Sequence, residues 1–137
     1  MKSFTIAVIA GDGIGKEVVP EGIRVLEAAG RRFDFQLRWR EFDWSCEKYL
    51  QTGIMMPANG LQELASFDAI FLGAVGDPRV PDHVSLWGLL IPIRRGFQQY
   101  VNLRTVRLFA GMASPLKNCK TEELDSRGVR ENTAGEN

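Results

Sequence analysis

The first apolar run, FTIAVIA at 4–10, is nearly unbroken and rich in β-favouring residues. Such a run suits a strand covered on both faces, as in a parallel sheet. The period then changes. Over 15–29, Val18, Val19, Ile23, Leu26 and Ala29 recur at helical spacing, with Lys16, Glu17, Glu21, Arg24 and Glu27 largely elsewhere, which predicts an amphipathic helix. Pro20 is awkward there unless it lies in the first turn or kinks the axis. FDFQLRW at 33–39 alternates, Phe33, Phe35, Leu37 and Trp39 against Asp34, Gln36 and Arg38, and predicts a half-buried strand. A short helix over 44–52 ends at Gly53, and a second from Pro57 to Phe67 carries Leu61, Leu64 and Ala65 on one face. AIFLGAV at 69–75 reads as a second fully apolar strand, followed by GDPRVPDH, a loop of turn formers. Residues 84–99 read as helical with a break or kink at Pro92. YVNLRTVRL at 100–108 reads as a strand with Tyr100, Asn102, Arg104 and Val106 on one face. Strands alternating with helices predict an α/β fold, a parallel or mixed sheet flanked by helices and joined by right-handed crossovers.

Composition narrows the partners. The 137 residues fit one domain, and 17 basic residues balance 17 acidic ones, so no long-range field favours nucleic acid or an anionic membrane. No apolar run is long enough to span a bilayer, and glycines and Asp12 interrupt the N-terminal stretch before any cleavage signal. Cys46 and Cys119 lack metal-site spacing and read as reduced bystander thiols of a cytoplasmic protein. The one histidine, His83, falls in the turn-rich stretch.

Candidate chemistry begins with AGDGIGKE at 10–17. Glycines let a backbone approach a ligand, and the start of a helix offers unpaired N–H groups to anions. The spacing is G-x-G-x-G, neither the dinucleotide fingerprint nor a Walker loop, so a tight strand-to-helix turn and a phosphate cradle both remain open. A second glycine loop, GAVGDP, follows the apolar strand at 69–75. Two such loops at strand carboxyl ends occupy the ligand edge of an α/β sheet. Arginines gather late in the chain, at 94, 95, 104, 107 and 130. Arg94 lies at helical spacing from Trp87, Leu90 and Ile91, and Arg104 shares a strand face with Asn102. Guanidinium groups bind carboxylates in pairs, which suits a small dicarboxylate; surface arginines with apolar-packed stems are the alternative.

GDGIGKEV, FDAIFLGAVGDP, LWGLLIPIRR, YVNLRTVRL and VRENTAGEN occur here in the order found in the isocitrate and isopropylmalate dehydrogenase family. The chain resembles these metal-dependent β-decarboxylating dehydrogenases of 2-hydroxy acids over nearly its whole length, less so between 117 and 128. FDW at 42–44, MMPANGL at 55–61, PDHVSLWG at 81–88 and QQYVNLR at 98–104 resemble the tartrate and D-malate branch. The resemblance implies the N-terminal part of the isopropylmalate dehydrogenase-like fold, distinct from the dinucleotide-binding one. It implies oxidation of tartrate or D-malate by NAD with Mn2+ or Mg2+, with decarboxylation of some substrates, and a homodimer for full-length relatives. Arg94, Arg104 and Arg130 match positions that bind substrate carboxylates. Trp87, Leu89 and Leu90 match the element that selects the substrate side chain, and with Gly88 they offer no partner for a third carboxylate. Gly11, Asp12, Gly13 and Ile14, with Gly73, Ala74, Val75, Gly76 and Asp77, match loops at the nicotinamide cofactor.

The same resemblance places the metal-binding aspartates and the catalytic lysine further along than this chain reaches. The catalytic tyrosine position falls at Asn137, which cannot replace a phenol as proton donor. No catalytic or metal-ligating residue is therefore assigned, and the chain is expected to be inactive alone. Thr105 stands where relatives carry proline. Ser126, Arg127 and Gly128 suit a buried central strand poorly, which bears on the placement of Arg130. Two other readings are a non-catalytic remnant and a 3-isopropylmalate dehydrogenase-like fragment, the latter because the leucines suit an alkyl group. Coincidence within an unrelated α/β nucleotide-binding module is a further one.

Overall fold

The apolar run at the N-terminus becomes β1 (Lys2–Gly11), the centre of a three-stranded parallel sheet ordered β2-β1-β3, in a computed structural model that describes residues 1–117 and 124–132. Its flanking strands are β2 (Phe35–Phe42) and β3 (Ala69–Ala74). β2 pairs from Lys2 opposite Phe35 to Ile9 opposite Phe42, and β3 from Ile6 opposite Ala69 to Gly11 opposite Ala74. The central place explains why Ala7, Val8 and Ile9 are buried. β3 is half-exposed, against the expectation of cover on both faces, because among the described residues it has a sheet neighbour on one side only. Asp68 fastens the start of β3 to β1. Its N–H donates to the Thr5 carbonyl at 2.9 Å, and its carboxylate accepts from the Thr5 N–H at 2.6 Å and hydroxyl at 2.9 Å.

The alternation in β2 is present: Phe35, Leu37 and Trp39 are half-buried and Gln36, Arg38 and Arg40 exposed. Its boundary differs. Phe33 is the last residue of α1 (Gly15–Phe33), and Asp34 turns the chain in the left-handed region at φ 56°, its N–H closing on the Gly30 carbonyl. α1 continues through Pro20, which offers no N–H to the carbonyl of Lys16. The face of α1 turned to the sheet also differs. Val19 is buried as expected, but Val18 is exposed, and the buried line runs through Gly15, Val19 and Gly30 with Gly22 and Ile23 half-buried. A search for apolar side chains overlooks glycines that let a helix approach a sheet. At Gly22 a Cβ would come within 2.7 Å of the Phe71 ring, so that ring occupies the space a larger residue would need.

α2 (Cys46–Thr52) ends where predicted but begins two residues later than the predicted 44, because Ser45 caps it from an extended conformation. The Ser45 hydroxyl accepts from the Lys48 N–H at its start, and Gly53 ends it with its N–H on the Tyr49 carbonyl. The helix predicted from Pro57 to Phe67 shrinks to α3 (Gly60–Leu64), because Pro57, Ala58 and Asn59 form a turn and Ser66 and Phe67 close short i→i−3 bonds. Phe42 packs against Trp44 with ring centroids 4.6 Å apart and edge-on to Phe67 at 5.7 Å, tying the end of β2 to both connections. A continuous helical stretch follows: α4 (Asp82–Ser85), a π turn over Leu86–Leu90 and α5 (Ile91–Gly96). His83 therefore sits in a helical turn and not in the predicted loop. The π turn accounts for Pro92. Pro92 has no N–H to continue the i→i−4 ladder, and the preceding N–H, that of Ile91, donates to the Leu86 carbonyl five residues back.

The chain divides into two units, Met1–Ile93 and Arg94–Asn137. In the second, β4 (Val101–Arg107) pairs antiparallel with β5 (Asp125–Glu131). Ser126, Arg127 and Gly128 are tolerated because β5 lies in a largely exposed two-stranded ribbon. Cys119 and Asn137 lie outside the described residues. No helix among those described is long and apolar enough to cross a membrane.

Candidate functional site

The two glycine loops lie side by side at the carboxyl edge of the parallel sheet. The Asp12 N–H donates to the Ala74 carbonyl at 2.7 Å, and the Gly76 N–H donates to Asp12 Oδ2 at 3.2 Å. The alternatives left open for AGDGIGKE divide between its glycines. Gly11, at φ +76°, cannot carry a side chain because a Cβ would stand 2.1 Å from the Ala74 carbonyl oxygen, so it serves the close approach of β1 to β3. Gly73 is likewise closed in, by the Ala10 carbonyl. Gly13, at φ +47°, meets nothing within 4 Å of its missing Cβ, and neither does Gly76. Bare backbone at Gly13 and Gly76 thus faces open space, where a flat ligand can approach. Ile14 beside them is exposed, whereas Ala74 and Val75 are half-buried.

Asp12 itself turns inward. It is 6% exposed, and its carboxylate accepts from the Cys46 N–H at 2.9 Å and the Glu47 N–H at 3.1 Å as well as from Gly76. It caps the start of α2 from 34 residues away in sequence, a role that no local pattern announces. Asp77 is committed to Arg79, whose backbone N–H and Nε each donate at 2.9 Å and whose terminal nitrogen donates at 2.7 Å. These bonds to Arg79, side chain first, pull the Asp77 carboxyl down to about 2.

A cleft of about 580 Å³ opens beside the loops, at the ends of β1 and β2, with Gly11, Lys16, Phe42, Trp44, Ser45 and Glu47 among its walls. Six of its charged residues form three pairs: Lys16 with Glu47, Lys48 with Asp43, and Arg40 with Glu63 at 3.6 Å. The cleft is not foreseen by the sequence, and two of the pairs join residues far apart in the chain, Lys16 with Glu47 and Arg40 with Glu63, whereas Lys48 and Asp43 are five residues apart.

Trp87 is 58% exposed, Leu90 half-buried and Leu89 fully buried, so the π turn shows Trp87 to solvent and gives Leu89 to the core. In the second unit Asn102 stands opposite Arg130 and Arg104 opposite Gly128. Cross-strand partners share a face, so Arg104 and Arg130 lie diagonally on one side of the ribbon with only glycine across from Arg104. Arg94, half-buried in α5, sits on a separate element. The opposite face of the ribbon carries exposed Val101, Leu103 and Val129. Cys46 is a free, fully buried thiol, and burial followed by the Asp12 carboxylate pushes it up to about 11, which keeps it protonated. No cluster of three or more His, Cys, Asp or Glu able to hold a metal ion occurs among the described residues.

Helices against a parallel sheet, with two glycine loops meeting at its carboxyl edge, define an α/β protein with a ligand edge of the kind that open sheets present. The isocitrate/isopropylmalate dehydrogenase family matches residues 5–136, and the chain belongs to that family. It is 56% identical over 138 residues to the D-malate dehydrogenase [decarboxylating] of Escherichia coli (strain K12), covering 99% of this chain and 38% of that protein. It is 55% identical over 136 residues to the tartrate dehydrogenase/decarboxylase of Pseudomonas putida, covering 98% and 37%. A crystal structure of a β-decarboxylating dehydrogenase from Thermococcus kodakarensis, in apo form, superposes with a TM-score of 0.65 at 28% identity, covering 96% of this chain and 35% of that one. The chain thus spans about 38% of the length of its D-malate dehydrogenase relative.

Proposed function

We propose that this chain supplies the cofactor-loop and substrate-arginine portion of an NAD-dependent, divalent-metal-dependent dehydrogenase that oxidises a small 2-hydroxy dicarboxylate, tartrate or D-malate. The observation that carries the reading is the shared face of Arg104 and Arg130. Two guanidinium groups on one face of a ribbon, with a glycine opening the space beside them, suit carboxylates held through paired hydrogen bonds. Arg94 is the third carboxylate-binding residue of this reading. Trp87 and Leu90 border the substrate side chain, with Leu89 behind them as core. The identities to D-malate and tartrate dehydrogenases favour those substrates over an alkyl-malate.

Open backbone at Gly13 and Gly76 fits a nicotinamide cofactor, which when bound accepts the hydride from the substrate hydroxyl carbon. Ile14 and Val75 flank that open backbone, Ile14 exposed and Val75 half-buried. The described residues do not provide a metal site, so nothing this chain does is assigned to Mn2+ or Mg2+.

The test is titration of the purified chain with D-malate and meso-tartrate, followed by NMR. Both acids shift the Arg104 and Arg130 side-chain signals, Arg104→Ala weakens binding about tenfold or more, and no steady NADH forms when NAD and Mn2+ are added. Equal binding by wild type and Arg104→Ala, or no binding at all, defeats the dicarboxylate reading. Turnover that persists on repurification and is lost in Arg104→Ala overturns the expectation that the chain alone is inactive.

A further inference from the structure

We propose that Asp12 is a positioning residue that locks the second glycine loop to the first turn of α2, and that it is not itself a cofactor ligand. What the locked loop is for rests on the dehydrogenase reading above; the lock does not. Each carboxylate oxygen faces an N–H donor: Oδ2 takes Cys46 at 2.9 Å and Gly76 at 3.2 Å, and Oδ1 takes Glu47 at 3.1 Å. The group is 6% exposed, so it has no face to offer a ligand. Only a carboxylate presents acceptors at both positions; an amide must turn its NH2 toward one of the donors. Backbone bonding completes the lock, because the Asp12 N–H takes the Ala74 carbonyl two residues before Gly76. Ser45, Glu47 and Lys48 at the start of α2 also wall the 580 Å³ cleft. Displacing Gly76 therefore strains the same carboxylate that holds that wall, and loop and wall move as one body.

Residue-resolved amide exchange on this chain, measured without cofactor, tests the lock separately from the dehydrogenase reading. In Asp12→Ala, exchange at Gly76, Cys46 and Glu47 quickens about tenfold or more while Val8 and Ile9 of β1 keep their wild-type rates. In Asp12→Asn the side-chain oxygen takes the doubly used position. Gly76 then stays near its wild-type rate and Glu47 alone quickens, a rescue that a general packing role would not give. Ser45→Ala serves as the control: it loosens the Lys48 N–H and leaves Gly76 unchanged. Wild-type exchange at Gly76 in Asp12→Ala overturns the proposal, as does equal acceleration of Gly76 by Ser45→Ala. Should Asp12→Ala expose Val8 and Ile9 by unfolding, Asp12→Asn decides: Glu47 quickening without Gly76 supports the lock, and both quickening alike refutes it.

Discussion

Asp77 shows how far one neighbour can move a surface carboxyl. Three bonds from Arg79 stabilise its charged form and bring it from 3.8 to about 2. The folded value lies below the unfolded one. The pair's contribution is therefore present above the ordinary carboxylate value and is lost as the pH falls through that value toward about 2. The Asp77 carboxyl carbon should titrate near 2 by NMR in the folded chain, and Arg79→Ala should return it toward 3.8; an unshifted midpoint in the native chain would contradict the bonded geometry. Asp68 is lowered in the same sense, by the backbone and hydroxyl of Thr5. Asp77 and its neighbour Arg79 are adjacent enough to be noticed in sequence. The partners of Asp12 are 34 and 64 residues away and are not.

At the scale of elements, the helix-to-sheet contact rests on what α1 lacks. The half-buried Gly22 faces the Phe71 ring, and a Cβ there would stand 2.7 Å from it. Alanine favours a helix over glycine by about 1 kcal/mol, whereas overpacking costs roughly 1–3 kcal/mol. Steric cost should win because Phe71 is held on β3 between α1 and Trp39, whose ring centroid is 6.3 Å away. Gly22→Ala should lower stability by about 1 kcal/mol in urea unfolding, and adding Phe71→Leu should recover most of the loss. A Gly22→Ala chain more stable than wild type would show that the ring gives way freely. The π turn belongs to the same scale. Pro92 announces an interruption in sequence, but whether the helix breaks, kinks or takes an i→i−5 bond depends on how the segment is anchored, here with Leu89 in the core.

In the whole molecule, the two units differ in what holds them. The first has a buried central strand, with Ala7 and Ile9 at 0% exposure. In the second, the pairing described is a ribbon whose residues are mostly exposed, and an isolated two-stranded ribbon is marginal in water. Amide exchange across the chain should therefore rank β1 as the slowest element, with β4 and β5 faster by at least about two orders of magnitude. Equal protection of ribbon and sheet would mean that the ribbon's apolar face, Val101, Leu103 and Val129, is covered in solution.

Local pattern determined the strand-helix alternation, the stop of α2 at Gly53 and the order of the family motifs, because these depend on periodicity and turn chemistry within a few residues. It also put glycines at both strand ends, but it could not tell which of them serve close packing; the Ala74 carbonyl decides that for Gly11, whereas Gly13 faces open space. The doubt that polar residues cast on β5 came from assuming a buried strand, and exposure removes it. Pairing across β4 and β5 brought Arg104 and Arg130 to one face, and burial withdrew Leu89 from the surface while leaving Trp87 on it. Only tertiary structure could decide these matters, because each depends on which distant backbone or side chain arrives at the same place, and that is a property of register and packing and not of the residues taken in order.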